Sequence, residues 1–133
     1  MKIRTLDGDL LKWKIEGISS KDTRSKSGLH QIAKELLHQR YPTLRILEEV
    51  SIPVKRRTVL FLDFYIPLMR LAYEVHGEQH YKFVKHFHGT ALGFLEHKQR
   101  DANKKLWCEY NNIELITLPF NEVDKWQKLL PNS

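Results

Sequence analysis

TVLFLDFYI, residues 58–66, is the stretch whose reading decides the fold. Alternation along a strand puts Val59, Phe61, Asp63 and Tyr65 on one side and Leu60, Leu62, Phe64 and Ile66 on the other. Apart from Asp63, both sides are apolar or aromatic. A strand apolar on both faces is buried on both faces, which predicts a central place in a sheet. Pro67 stops it, and a second strand pattern, Leu68 to His76, follows at once. The two are expected to form a tight antiparallel pair. In the second strand Arg70, Ala72, Glu74 and His76 share one face, and Leu71, Tyr73 and Val75 share the other.

Further elements read outward from this pair. Upstream, Leu44 to Val50 is a strand pattern. Before it, Leu29, Ile32, Ala33, Leu36 and Leu37 recur at helical spacing and predict one apolar helix face, with Glu35 on its flank. Ser25 or Ser27 is the expected cap, and Tyr41-Pro42 the expected end. Residues 17–28, GISSKDTRSKSG, read as a polar loop. Lys2 to Leu6 and Leu10 to Ile15 flank Asp7-Gly8-Asp9 and predict a hairpin.

Downstream, residues 77–89 form a His-rich connection. A long helix runs from Gly89 or Thr90 to about Tyr110, with Leu92, Leu95, Ala102, Leu106 and Tyr110 as its expected buried stripe. Ile113 to Leu118 is a strand, and Asn121 to Leu130 a short terminal helix. The order ββ-α-βββ-α-β-α predicts an α/β (α+β mixed) fold, a mixed sheet flanked by helices with an N-terminal β-hairpin.

The chain of 133 residues carries 22 Lys and Arg against 16 Asp and Glu, a net charge of +6. Residues 1–60 hold 13 basic and 7 acidic side chains, whereas residues 61–133 hold 9 of each, so all the excess lies in the first half. A basic half points to a polyanion, nucleic acid first of all. Lys14, Lys21, Arg24 and Lys26 around the polar loop, and Lys55, Arg56 and Arg57 before the central strand, are candidate phosphate contacts. The single cysteine, Cys108, excludes an internal disulfide and a Cys-based zinc site. No apolar run approaches the ~20 residues that span a bilayer, and no secretory signal follows Met1. One domain in a reducing, cytoplasmic compartment is expected.

Asp63 and Glu74 are the chemical anomaly. A carboxylate in the middle of an apolar strand is costly unless it is paired or binds a metal. The tight turn brings Glu74 near it, and two adjacent carboxylates repel unless a cation lies between them. Hard oxygen ligands suit Mg²⁺ or Mn²⁺, which activates a phosphodiester and a water. The alternative is a buried ion pair with Arg56, Arg57 or Arg70. His76, two residues after Glu74, and His80 are candidate general bases. Asp101 on the long helix could orient such a histidine, with Lys104 and Lys105 one turn on for phosphate. His86, His88 and His97 read as surface histidines; a transition-metal site of His80, His86 and His88 lacks a standard spacing. Tyr81, Phe83 and Phe87 read as core or as wedges between base steps.

LDFYIP, AYEVHGEQHY, HKQRDANKKLW and IELITLPFNE together resemble the core of the PD-(D/E)XK superfamily. They are most similar to very-short-patch-repair-type endonucleases and the EDxHD homing endonucleases of phages. The resemblance spans about residues 29–122, leaving 1–28 as hairpin and basic arm and 123–133 as C-terminal helix and tail. It implies a restriction-endonuclease-like sheet and a Mg²⁺-dependent DNA endonuclease working in a bacterial or phage-infected cell. It also implies roles for residues: Glu35 as the helix acid, Asp63 and Glu74 as metal ligands, His80 as acid or base, Asp101 as the final aspartate. Two features depart from the pattern. His76 stands where the Glu-x-Lys motif has lysine, and the zinc cysteines of the repair enzymes are missing. The departures favour the homing or phage side, and leave a catalytically silent nucleic-acid-binding module on the same fold as the alternative. One site per chain means that cutting both strands requires a homodimer or two successive nicks.

Overall fold

A computed structural model describes residues 2–19 and 28–131. Strands β1 (Lys2–Arg4) and β2 (Leu10–Lys12) pair antiparallel as the expected hairpin. Gly8 sits in its turn at φ +89°, a conformation that favours glycine. A second sheet holds β3 (Ile18–Ser19), β4 (Leu47–Lys55), β5 (Thr58–Ile66), β6 (Leu71–His76) and β7 (Glu114–Pro119), in that spatial order. Neighbours are antiparallel from β3 to β6, and β6 and β7 are parallel. A parallel pair needs a crossover, and the short α2 (Lys85–His88) and long α3 (Ala91–Tyr110) are part of it. The sheet is therefore mixed, with β5 inside it as its apolar pattern requires.

Helices α1 (Gly28–Arg40) and α4 (Trp126–Leu129) share one buried cluster with Phe64, Ile66, Leu71, Tyr73 and Leu118. Trp107 and Cys108 of α3 share the other with Ile3 and Trp13 of the hairpin region and with Ala72. The hairpin is pinned by side chains that act as backbone partners. The Asn111 amide accepts from the Arg4 N–H at 2.7 Å and donates to the Arg4 carbonyl at 3.0 Å. The Trp13 indole N–H donates to the Ser51 carbonyl at 3.0 Å. Burial pushes the Cys108 thiol up to about 12, with further upward pressure from Glu74, so it is not a nucleophile.

Several boundaries and faces differ from expectation. Strand β3 begins inside the predicted polar loop, whose residues 20–27, with Ser25, Ser27, Arg24 and Lys26, lie outside the described residues. The strand expected over Leu44 to Val50 runs instead from Leu47 to Lys55, because it pairs with β5 along most of its length. In β5, Val59 and Phe61 are both 55% exposed, so only its second half is buried on both sides. Strand β6 starts at Leu71 rather than Leu68; Pro67–Met69 form a 3-10 turn and Arg70 is left-handed at φ 52°. The terminal helix is a kinked 3-10 segment (Phe120–Lys125) followed by one turn of α4.

Helix α1 buries most of its expected face, and α3 does not. In α1 Ala33 and Leu37 are buried and Leu29 and Leu36 pack against the core, while Ile32 is exposed and His30 is buried. In α3 Leu92, Leu95, Ala102, Leu106 and Tyr110 are exposed, and the buried positions are Trp107 and Cys108. In both helices the inward face also carries ionic groups whose partners lie on the sheet or on the turn beside it: Lys34 for Glu48, Asp101 for His80 and Lys104 for Glu74. That is why apolar periodicity alone points elsewhere in α3.

Candidate functional site

The site forms where β5 and β6 part. Their ladder runs through Ile66↔Leu71, Tyr65↔Ala72 and Phe64↔Tyr73. The next pair in register is Asp63 and Glu74, and here carboxylates replace the ladder. The Asp63 N–H donates to Glu74 Oε2 at 2.9 Å, and the Val75 N–H donates to Asp63 Oδ2 at 2.8 Å. Each acid thus brackets the neighbouring strand's backbone. On the other side of β5, the register with β4 places Glu49 opposite Asp63, and Glu49 is left-handed at φ 51°. Non-glycine residues in that region store strain of order 1 kcal/mol or more, and such strain collects at functional positions. No sequence pattern announces it.

Glu74 is almost wholly buried. Burial and the neighbouring Asp63 charge push its carboxyl up to about 8, against the opposing pull of Lys104. The Lys104 ammonium reaches Glu74 Oε1 at 2.6 Å. Lys104, a candidate phosphate contact, is here the counter-charge of Glu74. None of the expected arginines plays that part. Arg56 and Arg57 lie in the exposed β4–β5 turn, and Arg70 donates to the carbonyls of Asn111 and Asn112.

His80 and Asp101 meet as their chemistry suggests: His80 Nδ1 and Asp101 Oδ2 are 2.8 Å apart. His80 lies on the 3-10 turn Glu78–His80, and Asp101 on the second half of α3. The His76 ring stacks on His80 with centroids 4.1 Å apart and 3° between planes. Burial, then the adjacent His80, holds His76 down to about 4. Burial raises the Asp101 carboxyl, but the His80 hydrogen bond and the His80, His76 and Lys104 charges outweigh it and the net shift is downward.

An open cavity of about 590 Å³ collects Asp63, Glu74, His80 and Lys104, together with His30 from α1. A smaller one of about 270 Å³ adjoins it, lined by Glu74, His76, Asp101, Lys104 and Lys105. Glu35 is exposed on α1 and lines neither. Lys55, Arg56 and Arg57 are exposed at the far end of β5, about 17–20 Å from Asp63 at 3.3 Å per residue. Tyr81 and Phe83 are each roughly half exposed, and the side chains of His86 and Phe87 lie outside the description.

Two sets of groups could hold a metal. Asp63 and Glu74 offer hard oxygens, and Asp63 Oδ1 accepts no hydrogen bond among the described residues. Mutual repulsion of the two acids is the kind that a divalent cation relieves. His76, His80 and Asp101 offer ligand atoms within 4.8 Å of one another, a mixed nitrogen and oxygen set. A buried acid–base cluster on β4 and α1 went unread in the sequence. Glu48, 4% exposed, meets His30 Nε2 at 2.7 Å and Lys34 Nζ at 3.2 Å.

Comparison with known proteins finds viral relatives. The chain is 40% identical over 65 residues to uncharacterized protein 307L of Invertebrate iridescent virus 6, covering 49% of this chain and 33% of that protein. It is 35% identical over 66 residues to uncharacterized protein 094L of Frog virus 3, covering 49% and 43%. It is 33% identical over 61 residues to uncharacterized protein 033L of Invertebrate iridescent virus 3, covering 46% and 31%. The matched stretch thus spans less than half the length of each of these relatives. No family model and no solved structure matches. Among the described residues, no helix is long and apolar enough to cross a membrane.

Proposed function

We propose that this chain is a metal-dependent DNA endonuclease that hydrolyses phosphodiester bonds. The observation that carries the reading is the Asp63–Glu74 bracket, opening into one cavity with His80, whose Nδ1 meets Asp101. Asp63 and Glu74 would hold Mg²⁺ or Mn²⁺, which when bound supplies Lewis-acid polarisation of the phosphate and a water of lowered pKa. His80 is tied to Asp101 through Nδ1, which leaves Nε2 to take a proton from water or to give one to the leaving oxygen. Asp101 fixes the ring and balances the imidazolium that forms. His76, kept neutral by burial, packs the His80 ring from one face. Lys104 carries positive charge to the place where phosphate charge grows. Lys55, Arg56 and Arg57 grip the backbone further along the duplex, without reading sequence.

The second reading, a silent DNA-binding module, draws on one observation: Lys104 already partners the carboxylate that a metal would need. A plasmid-nicking assay with Mg²⁺, Mn²⁺ or EDTA on duplex, mismatched and branched DNA separates the two. Cleavage by wild type and none by Asp63→Ala supports the enzyme. Equal inactivity of both, with salt-sensitive DNA binding, supports the module. Relatives from viruses accord with work in an infected host cell.

A further inference from the structure

We propose that His76, His80 and Asp101 form a transition-metal site of the Zn²⁺ class, separate from the Asp63–Glu74 acids, and that filling it switches the enzyme off. The inhibition rests on the nuclease reading above; the metal site does not. The three residues come from three elements: the end of β6, the 3-10 turn after it and the second half of α3. Each offers one ligand atom, and these atoms lie within 4.8 Å of one another. Four-coordinate Zn²⁺, with bonds of about 2.0–2.2 Å, needs ligand atoms about 3.3 Å apart. The His76 ring, now parallel to His80, closes the difference by turning out of that stack toward the ion. No hydrogen bond opposes the turn, because neither His76 ring nitrogen has a partner among the described residues.

Two nitrogens and one carboxylate oxygen suit Zn²⁺, whereas Mg²⁺ prefers oxygen throughout. The two sets of groups thus sort metals by softness. Three protein ligands leave a fourth position for water, and the cavity of about 270 Å³ lined by His76 and Asp101 has room for it. The Lys104 ammonium beside Asp101 is tied to Glu74 at 2.6 Å, which lessens its repulsion of an incoming cation. The consequence for His80 follows from its ring chemistry. Neutral imidazole has one basic lone pair. Once either nitrogen holds a metal the other is an N–H, so His80 no longer takes a proton from water.

The test uses the full chain, freed of metal with EDTA and then desalted. Zn²⁺ affinity is read by competition with a chromophoric chelator, and Co²⁺ binding by its visible absorption bands. Wild type is expected to bind one ion per chain, and His76→Ala and Asp101→Asn each to weaken binding about tenfold or more. His97→Ala, outside the triad, should bind as wild type does. No binding by wild type, or equal affinity in all variants, overturns the site. A loss confined to His97→Ala places the ion elsewhere and overturns it too. Should the triad variants not fold, ring-nitrogen NMR of wild type decides: Zn²⁺ must shift His76 and His80, and unchanged signals there overturn the proposal. Plasmid nicking in excess Mg²⁺ tests the consequence. Zn²⁺ equimolar with the chain is expected to stop it, and a zinc-selective chelator to restore it; nicking that continues with Zn²⁺ bound overturns the inhibition. Should wild type cut nothing in Mg²⁺, the nuclease reading and the inhibition fall together, while the binding data still decide the metal site.

Discussion

Asp63 and Glu74 stand opposite each other at the point where the β5–β6 ladder stops, and the Glu74 carboxylate takes the Asp63 N–H at 2.9 Å. Two acids in register on adjacent strands repel, and this geometry survives because backbone donors and Lys104 neutralise them. Asp63→Ala is expected to abolish detectable cleavage, raising the barrier by about 4 kcal/mol or more, roughly 10³-fold. Duplex affinity should stay equal or become tighter, since a negative charge facing phosphate is removed. Nicking and fluorescence-anisotropy titrations check both.

The raised Glu74 carboxyl makes the metal-free protein sensitive to alkali. Between its ordinary value of 4.5 and about 8, the folded state holds a proton on Glu74 that the unfolded state has lost, so stability falls as pH rises. His76 acts in the opposite sense between about 4 and 6.5, where the unfolded state holds the extra proton and stability rises with pH. The two oppose each other from about 4.5 to 6.5, and Glu74 alone remains from 6.5 to 8. Stability should therefore drop there by at most about 1.4 kcal/mol per pH unit. Urea titrations across this window check it, and Glu74→Gln should flatten the curve.

Lys104→Met removes the ammonium that compensates Glu74 from a mostly buried position. Breaking one side of a buried pair costs about 3 kcal/mol. The melting temperature should fall without metal, and added Mg²⁺ should recover more of it in the variant than in wild type, because a cation then supplies the missing charge. Thermal melts with and without Mg²⁺ test this.

His80→Ala is expected to slow single-turnover cleavage by about 10²-fold or more. Asp101→Asn, which keeps the shape of the orienting group but not its charge, should cost roughly 10–100-fold. An unchanged rate in His80→Ala moves the proton transfer to His76.

Glu35→Ala serves as a contrast, because Glu35 is exposed and outside both cavities. Stability should shift by no more than about 0.5 kcal/mol, and cleavage should not change. A tenfold loss of rate would place the outer face of α1 in the site.

The legible part of the site was carried by residues close in sequence or on a strand. Asp63 and Glu74 could be paired because a tight turn after Pro67 leaves two antiparallel strands little choice of partner. His80 and Asp101 were readable as chemical types, and α3 then brought them to 2.8 Å. Glu48 was not readable, because an acid next to Glu49 before a run of alternating residues looks like a strand end facing water. The structure continues β4 to Lys55 and buries Glu48 under α1.

The sequence by itself determined the order of the main elements (β3 and α2 apart), the central place of residues 58–66, the hairpin and the acids at Asp63 and Glu74. These follow from alternation, turn residues and short-range pairing, which act within a few positions of the chain. Tertiary structure alone decided which face of α3 turns inward and which ionic groups both helices carry there. Helical periodicity assumes that the buried face is purely apolar, and here the inward faces carry His30, Lys34, Asp101 and Lys104. The partners that make such burial tolerable are 18, 14, 21 and 30 positions away. A charge is worth burying only beside its counter-charge, and no local pattern in either helix records where that counter-charge will lie.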